Sequence, residues 1–208
     1  MSDYVIKHRG QKEIFDKAGY REVFLKSKDQ SEIIDAIYSM MCLSFNQFPA
    51  YSKITRAQFR RSFTHISQLI DRDCTRFIQD PQGNYIGFIV IMQDLADAIG
   101  AMRGEKNIRA KIEFKLTKNH SEIANIYVFG IIPGAIRDSI ALGRKITGKD
   151  LFLTQVCLSG VFNSILSSGK YDTAMGTLMR SGISIQNRIP YDPKTTRNYY
   201  LYELNIAS

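Results

Sequence analysis

"CTRFIQDPQGNYIGFIVIM", Cys74 to Met92, decides the architecture. "CTRFIQ" reads as a strand. "DPQGN" then places Pro81, Gly83 and Asn84 at turn-favouring positions. "YIGFIVIM" is a near-continuous apolar run rich in isoleucine. The spacing predicts an antiparallel hairpin whose second strand is buried.

Upstream, "SEIIDAIYSMMCLSF" (Ser31 to Phe45) predicts an amphipathic helix capped by Ser31, with Ile33, Ile34, Ile37, Met40, Met41 and Leu43 as its stripe. Pro49 breaks it. A second helix starts at Thr55. It turns Phe59, Phe63, Ile66, Leu69 and Ile70 one way and Arg56, Arg60 and Arg61 another. "YREVFL" (Tyr20 to Leu25) reads as a first strand, and residues 1–18 as an extension.

Downstream, "DLADAIGAM" predicts a short helix, and Arg103 to His120 a basic surface excursion. "EIANIYVFGII" (Glu122 to Ile132) is a third strong strand ended by Pro133. Gly134 to Gly148 reads as a Gly- and basic-rich connection with one helical turn at Arg137 to Leu142. Lys149 to Gly169 predicts a helix stopped by its glycine. "DTAMGTLM" (Asp172 to Met179) reads as a buried strand, Ser181 to Ile189 as a loop or short helix, and "NYYLYELNI" (Asn198 to Ile206) as a last strand. The fold class is α/β (α+β): a mixed, mostly antiparallel central sheet flanked by helices, in a single domain over 1–208.

Composition narrows the partners. The 208 residues are 44% hydrophobic and 23% charged, ordinary globular values. A net charge of +8 and a pI of about 9.4 suit a polyanion or a phosphate-rich ligand. Cys42, Cys74 and Cys157 show no CxxC spacing, which argues against a disulfide framework or a zinc site. The polar start is not a signal peptide, and no apolar run is long enough to span a bilayer. A cytoplasmic protein without membrane partners is the expectation. "RAQFRR" and "RGEKNIRAKIEFKLTK" are basic with aromatics interleaved, but no nucleic-acid recognition motif is present.

"GRKITGKD" (Gly143 to Asp150) nearly spells a P-loop. The expected strand ends about ten residues earlier, and Asp150 replaces the Mg²⁺-ligating hydroxyl. Nucleotide hydrolysis is therefore disfavoured. A glycine at a helix mouth with Arg144, Lys145 and Lys149 could still bind a diphosphate. Equally, Asp150 could cap a helix and the basic side chains could be solvated. His8, His65 and His120 have no partner at a recognisable spacing, and Cys157 reads as core.

Two helices, the hairpin, a strand ending "FGIIP", a Gly/basic loop, a long helix, "TAMGTLM" and a closing "YYLYEL" together resemble the GNAT N-acetyltransferase superfamily over Ala18 to Ile206. The stretch "SFNQFPAYSKITRAQF" is similar to one in a bacterial subgroup with a C-terminal domain of this kind. The resemblance implies an acetyl-CoA (or other acyl-CoA) cofactor whose pantetheine arm runs along Phe129, Gly130 and Ile131. It implies a pyrophosphate loop whose positions fall on Lys145, Gly148 and Asp150, with the charges of Arg144 and Lys149 beside it. It also implies a small-molecule or peptide amine as acceptor. Asp150 stands where the superfamily has Gly or Ala. The general-acid tyrosine has one weak counterpart, Tyr191. The alternative is a catalytically degenerate GNAT-like binding or interaction module. Assembly as a homodimer is left open.

Overall fold

The hairpin is present. In the computed structural model, which describes residues 3–25, 29–45, 52–117 and 121–176 (without the side chains of 3–9, 65 and 68), β2 (Arg76–Gln79) and β3 (Tyr85–Gln93) pair antiparallel. Asp80 builds the turn: its Oδ1 accepts from the N–H of Gln82 at 2.9 Å and of Asn84 at 2.8 Å. Gly83 takes the left-handed conformation at φ 84°. β3 is buried from Ile86 to Met92.

Among the described residues the hairpin lies inside a five-stranded sheet of order β1-β2-β3-β4-β5, with β1 at Arg21–Phe24, β4 at Ile123–Ile131 and β5 at Thr173–Gly176. The first three pairings are antiparallel and β4–β5 is parallel. A parallel neighbour needs a crossover. Two helices supply it, α6 (Pro133–Thr147) and α7 (Leu153–Ser168).

α1 (Asp3–Lys17), α6 and α7 cover one face of the sheet; α2 (Gln30–Phe45) and α3 (Arg56–Ile66) cover the other. A 3₁₀ turn, Ser67–Leu69, follows α3. α4 (Ala96–Ala101) and α5 (Ile108–Thr117) pack on one another between β3 and β4. Thr55 caps α3 in a complete capping box with Gln58. At α2, Asp29 rather than Ser31 is the capping group: its Oδ1 accepts from the N–H of Ser31 at 3.2 Å.

Three expectations change. The connection from Gly134 to Gly148 is the helix α6, with Ala135, Ser139 and Gly143 buried along one side. A helix starts there because Pro133 occupies its first turn, where a missing N–H costs nothing. β5 is not a buried strand: among the described residues it has one strand neighbour, and Met175 is 39% exposed. Asp3–Lys17 is a helix whose end is core: Phe15 is 0% exposed and packs with Leu151, Leu153 and Val156. Each such burial contributes roughly 1.5–3 kcal/mol. The segments expected at Ser181 to Ile189 and Asn198 to Ile206, the end of "DTAMGTLM", and the Pro49 break lie outside the described residues.

One charged pair is buried under the sheet. Arg76, 2% exposed, donates from Nη1 to Glu22 Oε1 at 2.8 Å and from Nη2 to Ser164 Oγ. α7 can pass over this pair because residue 160 is glycine. A Cβ there would lie 2.2 Å from Arg76 Nη1 and 2.6 Å from Glu22 Oε1.

Candidate functional site

β4 is where the sheet changes character. On one edge it pairs with β3 along its length. On the other, β5, described as far as Gly176, pairs with it in parallel from Ile123 to Ile126.

β4 carries a bulge against β3. Val90 sits opposite Val128 and Ile91 opposite Ile126, so Tyr127 is the extra residue. The bulge flips the alternation. Ala124 and Ile126 pack on the α7 side, Val128 on the α2–α3 side, and Phe129 and Ile131 on the α1/α6/α7 side again. A bulge bends its strand and re-aims a side chain. Here Tyr127, the extra residue, is 45% exposed.

The three β4 residues predicted to line a pantetheine arm lie between this bulge and α6. Phe129 and Ile131 share one face, while Gly130 points the other way. A Cβ on Gly130 would meet Phe88 Cε1 at 2.8 Å, so that glycine lets β4 close on the core ring of Phe88.

α6 begins two residues beyond β4. Ile132 precedes it with no side-chain cap, and the N–H of Ala135 turns back to the carbonyl of Ile132 at 2.9 Å. The first turn carries the partial positive charge of a helix N-terminus. Gly134 leaves the space above it open, since a Cβ there would meet nothing within 4 Å. Arg137, 86% exposed, adds a full charge, with Asp138 Oδ1 at 3.8 Å. Sequence reasoning missed this turn and Tyr127. The signal for the turn was Pro133 followed by small residues directly after a strand. For Tyr127 it was the slip in the alternation.

The basic stretch lies elsewhere. Arg144 and Lys145 occupy the last turn of α6. At about 1.5 Å per residue, its 15 residues put them roughly 20 Å from β4. That end presents carbonyls and partial negative charge. Gly148 is the left-handed cap, φ 72°, and its N–H donates to the carbonyl of Arg144 at 2.9 Å. Gly143 is a packing glycine: a Cβ would stand 2.8 Å from Leu151 N, Leu151 Cβ and Lys149 O. Asp150 caps nothing. Its carboxylate takes a two-pronged hydrogen bond from Arg144, Nε to Oδ1 and Nη2 to Oδ2 at 3.1 Å. The Arg144 guanidinium holds it below the ordinary carboxylate range. Both glycines of the P-loop-like pattern therefore have conformational roles, and Arg144 is spent on Asp150.

Gln11 of α1 secures the same loop. Its Nε2 donates to the Asp150 carbonyl at 3.0 Å, and its Oε1 accepts from the Phe152 N–H at 2.7 Å. Beside it a cavity of about 460 Å³ is lined by Lys17, Thr147, Lys149 and Gln155 among others. Lys149 is thus separated from the β4 edge as well.

A second polar cluster stands at the start of β5. Asp71 Oδ1 accepts from the N–H of Asp73 at 2.9 Å and of Cys74 at 3.0 Å. Its Oδ2 accepts from the Tyr171 hydroxyl at 2.7 Å and from Lys170 at 3.4 Å. Burial alone would raise Asp71. The hydrogen bonds and the Lys170 charge outweigh it and hold the group below its ordinary value. Burial, with Asp71 close by, pushes the Cys74 thiol up to about 12. This cluster ties two loops together and holds an inert thiol. Among the described residues no group of side chains could hold a metal ion. Tyr191, His120, and the side chains of His8 and His65 lie outside the described residues. No described helix is long and apolar enough to cross a membrane.

No protein-family model matches the chain, and no curated protein matches it in sequence. Solved structures do resemble it. Glucosamine-6-phosphate N-acetyltransferase from Arabidopsis thaliana overlaps with a TM-score of 0.48 at 11% identity, covering 88% of this chain and 99% of its own. An aminoglycoside antibiotic 6'-N-acetyltransferase from Acinetobacter baumannii gives 0.46 at 11% identity, with 91% and 100% covered. Overlaps this loose do not define an activity.

Proposed function

We propose that the protein is an N-acyltransferase of the GNAT type, moving an acetyl group from acetyl-CoA to an amine. The observation that carries this reading is the β4–α6 junction: a strand bulged at Tyr127 that leads straight into the open first turn of α6 over Gly134. An extended amide-containing arm would lie along the end of β4, and a diphosphate fits the open turn over Gly134 beside Arg137. Bound acetyl-CoA would supply a thioester whose acyl group a neutral amine can accept. Outward N–H groups of β4 polarise a carbonyl placed against them. The exposed Tyr127 phenol holds a proton for a departing thiolate. The diphosphate position shifts from the Arg144–Lys149 stretch to Gly134–Arg137.

A binding module without catalysis is the second reading. It is favoured by the closed helical first turn of α6, which has no glycine-rich loop, and by Asp138 beside Arg137.

Thermal melts with acetyl-CoA, CoA and desulfo-CoA separate the two. A ligand at a hundredfold its Kd adds about 2.7 kcal/mol of stability. Arg137→Gln should weaken the shift several-fold, and Lys145→Gln should leave it intact. Tyr127→Phe should keep binding and lower acetyl transfer to an amine by ten- to a hundredfold. No shift with any acyl-CoA at millimolar concentration sinks the enzymatic reading.

A further inference from the structure

We propose that α5 is a docking helix for anionic lipid surfaces, which lays its aliphatic stripe into the headgroup boundary while its cations contact acidic headgroups. This does not depend on the acyltransferase reading. α5 reads "IRAKIEFKLT", apolar and polar in alternation. Wound as a helix, that pattern splits its apolar residues between two faces. Ala110, 3% exposed, and the half-buried Phe114 face the protein. Ile108, Ile112 and Leu116 face solvent at 78%, 54% and 64% exposure. Their i, i+4, i+8 spacing makes one continuous stripe.

Charge frames the stripe. At about 100° per residue, Lys111 and Lys115 run along one border and Arg109 along the other. Among the described residues neither lysine has an ion-pair partner, while Arg109 meets Glu113 at 3.0 Å. Long basic side chains can keep their charge among headgroups while their stems lie along apolar surface. The wider chain agrees, at net +8.

The other occupants fit less well. A second copy packed stripe to stripe would bring the same cations face to face. A protein partner needs about 800 Å² per side for a standard interface, far more than three aliphatic side chains on a convex ten-residue helix provide. A bilayer requires neither a matching groove nor a large footprint, and the proposed contact lies on the surface without crossing.

Flotation of the full chain tests this with vesicles of phosphatidylcholine alone and of equal parts phosphatidylcholine and phosphatidylserine. The protein should float with the mixed vesicles only, and raised salt should release it. The triple variant Ile108→Ser, Ile112→Ser, Leu116→Ser should lose at least about tenfold in affinity with its melting temperature kept. Lys111→Gln and Lys115→Gln should each cost roughly fivefold. Equal flotation of the triple variant and the parent would overturn the proposal, because net charge alone would then explain binding. So would failure to float with the mixed vesicles. Capture of an acidic amphipathic peptide by α5, with no vesicle binding, would do the same.

Discussion

Replacing Gly143 by alanine tests whether "GRKITGKD" is a packing device or a phosphate loop. The new Cβ would lie 2.8 Å from Leu151 N, Leu151 Cβ and Lys149 O, all within one tight loop. Ordinary van der Waals contact begins at 3.4 Å, so the loop must retreat by at least 0.6 Å, the difference from 2.8 Å. It is not free to do so. Gln11 grips it at 3.0 Å and 2.7 Å, and Ser139 Oγ donates to the Leu151 carbonyl at 3.2 Å. Helix propensity favours the alanine by about 1 kcal/mol. Overpacking opposes it by roughly 1–3 kcal/mol, and two strained hydrogen bonds by about 1 kcal/mol each. The net loss is about 2–4 kcal/mol, a fall of roughly 4–16 °C in a chain of this size. Gly10→Ala is the control, since a Cβ there would meet nothing within 4 Å and α1 should gain up to about 1 kcal/mol. The assay is a thermal melt of each variant with and without acetyl-CoA. If Gly143→Ala melts at or above the parent temperature but loses ligand response, the packing argument is wrong and the phosphate loop returns.

Two further outcomes follow from buried charge. Gly160→Ala drives a methyl into the Arg76–Glu22 pair and should cost about 3 kcal/mol, as breaking a buried pair does. In an Arg76→Met, Glu22→Gln background, denaturant titration should show at least about 2 kcal/mol of that penalty gone. Asp71 has a folded pKa below its unfolded one, so its contribution is present above about pH 4 and is lost as pH falls through the folded value. Asp71→Asn should lower the urea midpoint at neutral pH and flatten its acid decline; an unchanged pH profile would refute the role given to the Tyr171 and Lys170 contacts.

The sheet was legible wherever burial was symmetric or turn chemistry explicit. β3 is apolar at nearly every position because both its faces are covered, and Asp80 to Asn84 allow little except a turn. α3 was readable from Thr55 and α7 from Gly169. α6 was not, because three glycines and a run of cations outweigh a helix stripe made of small residues, Ala135, Ser139 and Gly143. Small residues bury little area, so they leave a weak periodic signal even where they permit the closest packing. β4 was found as a strand, but its bulge appears only as a slip from Ala124 and Ile126 to Phe129 and Ile131. The basic residues were easy to see and drew the expected diphosphate site to the C-terminal end of α6. Charge is conspicuous in a sequence, whereas a bulge or a helix N-terminus has no residue type of its own.

The grip of Gln11 on Asp150 and Phe152 joins positions 139 and 141 residues apart along the chain. Closing so long a loop adds only a logarithmic entropy cost, but it imposes an order of events during synthesis. Ile14, Phe15 and Ala18 are made early, and their partners Leu151, Leu153 and Val156 come late. At about 5–20 residues per second, α1 waits on the order of ten seconds with that apolar end uncovered.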